Sequence, residues 1–130
     1  LKNKLVLLLL PVILTAFCGC VSVKPAKLVL AVDSSACSCV KNRCVNMESE
    51  VKDFIAQNSL SDTAELKVYD NFKNTSTKAV MDKYQMGLYP YIVLVDKNDR
   101  VRYRASASDF NKEKMMEEIK LIAAEKAEVK

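Results

Sequence analysis

The sequence predicts an α/β domain: a mixed four-stranded sheet with helices on both faces, in the order β-α-β-α-β-β-α. Two continuous apolar runs, residues 28–32 (Leu-Val-Leu-Ala-Val) and 91–95 (Tyr-Ile-Val-Leu-Val), have the composition of strands covered on both faces. Three other segments carry apolar residues at helical spacing, which supplies the covering layers. The second run is followed by a tight turn at Asp96-Lys97-Asn98-Asp99 and an alternating stretch, Val101-Arg102-Tyr103-Arg104, which together read as an antiparallel hairpin. The earlier strands are joined through a helix, the connection that parallel neighbours need.

Each element has its own local signal. Asp33-Ser34-Ser35 ends the first strand with turn and capping chemistry. Residues 38–57 follow as a helix whose stripe is Val40, Cys44, Met47, Val51, Phe54 and Ile55. A polar loop over 58–63 leads into Leu66-Lys67-Val68-Tyr69, which alternates like a short strand. The next helix carries Val80, Met81 and Tyr84 and is expected to end at Gly87. Ser108 or Asp109 is expected to cap a last helix with Met115, Met116, Ile119, Leu121 and Ile122 on its stripe. Its alternating lysines and glutamates read as a solvated face with pairs at helical spacing.

A hydrophobic share of 50% is ordinary for a globular chain, but the apolar residues crowd toward the start. Lys2 and Lys4 precede an apolar run over 5–17, broken only by Pro11 and Thr15, and Cys18-Gly19-Cys20 follows. This is the layout of a secretory signal peptide over 1–20, too short for a comfortable membrane span. A small residue directly before Cys20 resembles the bacterial lipoprotein cleavage box, with Cys20 as the lipidated first residue of the mature chain. Residues 21–27, with Lys24-Pro25, read as a tether and 28–126 as the domain. The expected location is the bacterial cell envelope on its periplasmic side, with the membrane as a partner through the lipid. Losing Lys2 and Lys4 leaves 18 basic against 16 acidic side chains, a balance of +2 that is no nucleic-acid footprint. Gly19 and Gly87 are the only glycines, so there is no Gly-rich phosphate loop.

Functional information concentrates at Cys37-Ser38-Cys39, with Cys44 beyond, where the first strand gives way to the first helix. Helix N-terminal N–H groups and the positive end of the helix dipole stabilise a thiolate, and Lys41 and Arg43 add positive potential nearby. In an oxidising compartment the three sulfurs are an odd count, so at least one is free, paired outside the chain, or bound to something. A Cys37–Cys39 bridge closes a small ring that requires both residues to lie in the loop before the first turn; it is strained and easily reduced. Cys44 stands about 7.5 Å of helical rise from Cys39 and about 10.5 Å from Cys37, beyond bridging reach in a continuous helix. Its bland reading is a small core residue.

The element order, the cysteines after the first strand, and the stretch Tyr84-Gln85-Met86-Gly87-Leu88-Tyr89-Pro90-Tyr91-Ile92-Val93-Leu94-Val95-Asp96 together resemble the thioredoxin superfamily. The resemblance covers roughly 28–122, with the family's initial strand and helix missing or reduced. It implies a thioredoxin-like fold in which Pro90 matches the cis-proline that receives an extended substrate, Tyr89 lines the site, and Cys37 matches the nucleophile. The chain departs from the family at three positions: Val40 stands where the second cysteine belongs, Ala36 where the Trp does, and Ala31 where the buried acid does.

Three functions follow. The first is an envelope thiol-disulfide oxidoreductase with no cofactor, in which Cys37 attacks, Cys39 resolves, and the partners are protein or small-molecule thiols and disulfides. The second is a soft-metal protein that holds Cu(I), Zn(II) or a thiophilic ion on Cys37, Cys39 and Cys44; the absence of histidine excludes His-containing sites. The third is a non-catalytic interaction module of this fold.

Overall fold

The computed structural model describes residues 23–128; the expected leader with Cys20 and the start of the tether lie outside the described residues. The elements are β1 (Ala26–Val32), α1 (Ser38–Gln57), β2 (Ala64–Asp70), α2 (Thr77–Tyr84), β3 (Tyr91–Asp96), β4 (Val101–Ser106) and α3 (Lys112–Ala127). Their sheet has the order β2-β1-β3-β4, with β1 parallel to β2 and antiparallel to β3, and β3 antiparallel to β4. This is the mixed four-stranded sheet that the strand patterns predict. Among the described residues no helix is long and apolar enough to cross a membrane.

The two continuous apolar runs are the two central strands, for a simple physical reason. Successive side chains point to opposite faces, so a strand covered on both sides needs apolar residues at every position. Leu28, Leu30, Val32, Ile92 and Leu94 join Cys44, Met47, Val51 and Phe54 of α1 and Met115, Ile119 and Ile122 of α3 in the main core. Val29, Val93 and Val95 face the other way and pack with Tyr84 of α2. Two helices therefore cover one face and α2 the other. Each large aliphatic side chain so buried contributes on the order of 1.5–3 kcal/mol, and this is what fixes the stripe of α1 against the sheet.

Several local expectations are corrected. β1 begins at Ala26 rather than Leu28, and Pro25 and Ala26 are both buried, so the chain is already packed where the tether was expected to run. Gln85, not Gly87, ends α2: it adopts the left-handed conformation (φ 51°, ψ 48°), and Met86 N–H donates to the Met81 carbonyl at 2.9 Å. Gly87 instead lacks a side chain because a Cβ there would stand 2.9 Å from the Tyr91 ring. Asn111, rather than Ser108 or Asp109, caps α3, its side chain accepting from Lys114 N–H at 2.9 Å. Asp109 is taken up by Ser106, whose hydroxyl donates to it at 2.8 Å. Leu121 is exposed, since it lies about 200° around the helix from Ile119. Among the described residues the ion pairs of α3 run to other elements, Glu118 and Glu125 to Arg102 of β4 and Lys112 to Glu50 of α1.

Candidate functional site

The loop that delivers the cysteines is stitched to the end of the neighbouring parallel strand. Asp70, at the end of β2, accepts from Ser34 N–H at 3.0 Å and from Phe72 N–H at 3.1 Å through the same oxygen. Asp33 accepts from the Ser35 hydroxyl at 2.6 Å, from Ser35 N–H at 2.9 Å and from the Asn71 side chain at 3.1 Å. Hydrogen bonding from Ser35 first holds the Asp33 carboxyl below its usual range. Burial pushes Asp70 upward, but the Ser34 and Phe72 bonds and nearby Lys73 outweigh it and leave this carboxyl lowered as well. Two anions thus shape the turn after β1 and deliver the chain to α1.

Cys37 occupies the N-cap of α1 with φ −57° and ψ 156°. Its carbonyl accepts the first helical bond, from Lys41 N–H at 2.9 Å, while its side chain makes no capping bond. Cys39 lies within the first turn of α1, as the helix expected over 38–57 implies, so the loop placement that a Cys37–Cys39 bridge requires is not the one adopted. Joining them requires that turn to open, because side chains two apart on a helix point about 200° from each other. Both are exposed free thiols. The Arg43 guanidinium makes its direct contact with Cys39, its Nη2 donating to Cys39 Sγ at 3.2 Å. That hydrogen bond is the main cause that raises the Arg43 pKa further. The i,i+4 spacing of Cys39 and Arg43 was the sequence signal for this contact.

Cys44 stands apart. It is buried in the main core, and burial first pushes its thiol up, a backbone hydrogen bond with Asp33 opposing. Among the described residues no three Cys, Asp or Glu side chains converge on a point that a metal ion could occupy. The three sulfurs are therefore not assembled into one donor set.

The Tyr89–Pro90 peptide bond is cis, and Pro90 is fully buried at the entry to β3. Tyr89 is half-buried against the main core, and burial raises its phenol. Beside them opens a groove of about 400 Å³, with Arg43, Asn46, Met47 and Glu50 of α1 on one wall and Tyr89, Pro90 and Phe110 on the other. Leu88 stands at its mouth, 89% exposed. A second groove, of about 530 Å³, flanks α1 on its other side between Lys41, Val45 and Glu48 and the exposed Phe72, with Cys44 at its floor. Sequence reasoning missed Leu88, Phe110 and Phe72 as parts of this end of the molecule. Isolated apolar residues in loops carry no periodicity, so no pattern distinguishes them from ordinary surface.

No protein-family model and no curated protein matches the chain. Solved structures do. A malarial protein superposes with a TM-score of 0.53 at 18% identity, over 75% of this chain and 96% of that one. The germline-specific thioredoxin Deadhead of Drosophila melanogaster superposes with a TM-score of 0.50 at 16% identity, over 74% and 79% of the two chains. A thioredoxin-fold protein from Helicobacter pylori covers 83% of this chain and 89% of its own, at 14% identity and a TM-score of 0.42. Strand order, helix placement and the likeness to Deadhead agree, and the chain has the thioredoxin-like fold.

Proposed function

We propose that this protein is an envelope thiol-disulfide oxidoreductase whose working pair is Cys37 and Cys39. The observation that carries the reading is two exposed free thiols at the start of α1, one at the N-cap and one under the Arg43 guanidinium, which itself lines an open groove walled by Tyr89 and Pro90. Such a position stabilises sulfur anions and leaves them accessible, which thiol exchange needs. One thiolate attacks a substrate disulfide: a new S–S bond forms to the protein as the substrate's own breaks, and the released thiolate takes a proton from water. The second protein thiolate then attacks the mixed disulfide and displaces the other half of the substrate. The substrate gains two electrons, the pair becomes a disulfide, and an external dithiol reductant restores it. The leader-like layout of 1–20, with a small residue directly before Cys20 as in a lipoprotein cleavage box, supports the envelope reading.

The test uses the full chain, reduced and oxidised, with mass spectrometry of its thiols and the reduction of insulin disulfides as readouts. A reversible Cys37–Cys39 bridge, and loss of turnover when both become Ser, are expected. Full turnover in the double variant refutes the reading. Stoichiometric Cu(I) or Zn(II) uptake that needs Cys37, Cys39 and Cys44 together, with no disulfide reduction, replaces it by the soft-metal function. Mass spectrometry of the mature N-terminus tests the lipid on Cys20: an unmodified N-terminus elsewhere overturns the anchor.

A further inference from the structure

We propose that Cys39 is the sulfur that attacks substrate, that Arg43 is the positioning residue holding its charge, and that Cys37 resolves. The proposal rests on the thiol-exchange reading above and reverses the order that the family resemblance implies.

Helical phase carries it. Residues spaced i, i+4, i+7, i+8 and i+11 share one side of an α-helix. Starting from Cys39, that row is Arg43, Asn46, Met47 and Glu50, and all four line the groove that ends at Tyr89 and Pro90. Starting from Cys37, the same spacing gives Lys41, Cys44, Val45 and Glu48, and all four line the other groove, opposite Phe72. The N-cap residue is already half within the helix, so the row extends back to it. The core-facing stripe of α1 takes Cys44 from one row and Met47 from the other, so the two sulfurs flank it on opposite sides.

Arg43 supplies the second, independent observation. Its guanidinium touches Cys39 Sγ at 3.2 Å, and Arg43 also lines the Pro90 groove, so one residue links that sulfur to the groove. A guanidinium stays charged and is weakly hydrated, which suits it to facing a sulfur anion. Lys41, the other cation of the first two turns, stands in the Cys37 row and lines the Phe72 groove.

The steps balance. Cys39 thiolate attacks one sulfur of a disulfide held in the Pro90 groove, forming a mixed disulfide at Cys39 and releasing the other half as a thiolate. The first turn of α1 opens, and Cys37 thiolate attacks Cys39 Sγ. The Cys37–Cys39 bond forms and the remaining half of the substrate leaves as a thiolate, so two electrons pass from the pair to the substrate.

The experiment uses full-length Cys37→Ser and Cys39→Ser proteins, each with and without Arg43→Gln or Arg43→Lys. The probe is neutral hydroxyethyl disulfide at pH 7, and the rate of mixed-disulfide formation is followed by quenched flow and peptide mapping. Cys39 in the Cys37→Ser protein is expected to react about tenfold faster than Cys37 in the Cys39→Ser protein, the scale of one hydrogen bond to a charged group. Arg43→Gln should remove most of that advantage and Arg43→Lys should keep most of it, while high salt should narrow the gap and the rate at Cys37 should stay within about twofold. Cys37 reacting as fast as Cys39 or faster overturns the order and leaves the exchange function standing. An advantage of Cys39 that survives Arg43→Gln overturns the role of Arg43. If neither sulfur outpaces a free cysteine peptide, the exchange function itself fails, and the order with it.

Discussion

Replacing Asp70 with Ala should cost about 3 kcal/mol, and the figure follows from its contacts. One carboxylate oxygen accepts the N–H groups of Ser34 and Phe72, at 3.0 and 3.1 Å, in a side chain only 10% exposed. A net hydrogen bond to a charged group is worth about 1.5–3 kcal/mol, and both donors are only part-buried, so the lower figure applies to each. Lys73, at 3.7 Å and mostly exposed, adds little. For a domain of this size about 3 kcal/mol corresponds to a fall in Tm of roughly 10–20 °C. Asp70→Asn keeps an acceptor oxygen and loses only the charge, so it should cost about 1 kcal/mol. The folded-state pKa of Asp70 is lowered, so its contribution is present above the ordinary carboxylate range and is lost as pH falls through the folded value. Urea unfolding of the three proteins at pH 7 and in strong acid measures both effects. A loss below about 1 kcal/mol for Ala at pH 7, or a gap between wild type and Asn that persists unchanged in acid, refutes the reasoning.

Three further outcomes follow from the packing. Met115→Ala removes a fully buried side chain of α3 and should cost about 2–5 kcal/mol, read as a lower urea midpoint at unchanged slope. Gly87→Ala places a Cβ 2.9 Å from the Tyr91 ring and should cost about 1 kcal/mol; Tyr91→Ala in the same chain should recover it, which a double-mutant cycle checks. Cys44→Ala should cost about 1 kcal/mol and leave disulfide exchange intact, and iodoacetamide should reach Cys44 only on unfolding, since the thiol is 4% exposed and burial pushes its pKa up.

Much of the fold is legible in one dimension because the covered strands and the main helix stripe follow from short-range pattern. The runs over 28–32 and 91–95 are apolar at every position, and the stripe of α1 repeats at helical spacing, so each declares its faces without reference to a partner. The ends of α2 and α3 were not legible. Gln85 adopts a conformation that any sequence rule gives to Gly87, and Asn111 displaces two equally good caps because Asp109 is engaged by Ser106. Leu121 illustrates the same limit: its apolar character counts toward the stripe, but its angular position puts it in solvent.

By itself the sequence determined the strand-helix order, the central strands, the stripe of α1, and the placement of Cys37 and Cys39 at a strand-to-helix junction with Cys44 on the core face. All of these depend on neighbours within a few turns of chain. Only the tertiary structure decided which groove each side of α1 faces and that Asp70 pins the loop ahead of Cys37. Those outcomes depend on Phe72 beyond β2 and Pro90 before β3, brought against α1 by the parallel and antiparallel pairings of β1. Helical phase is written in the sequence, but what stands opposite each side of the helix is a property of the sheet.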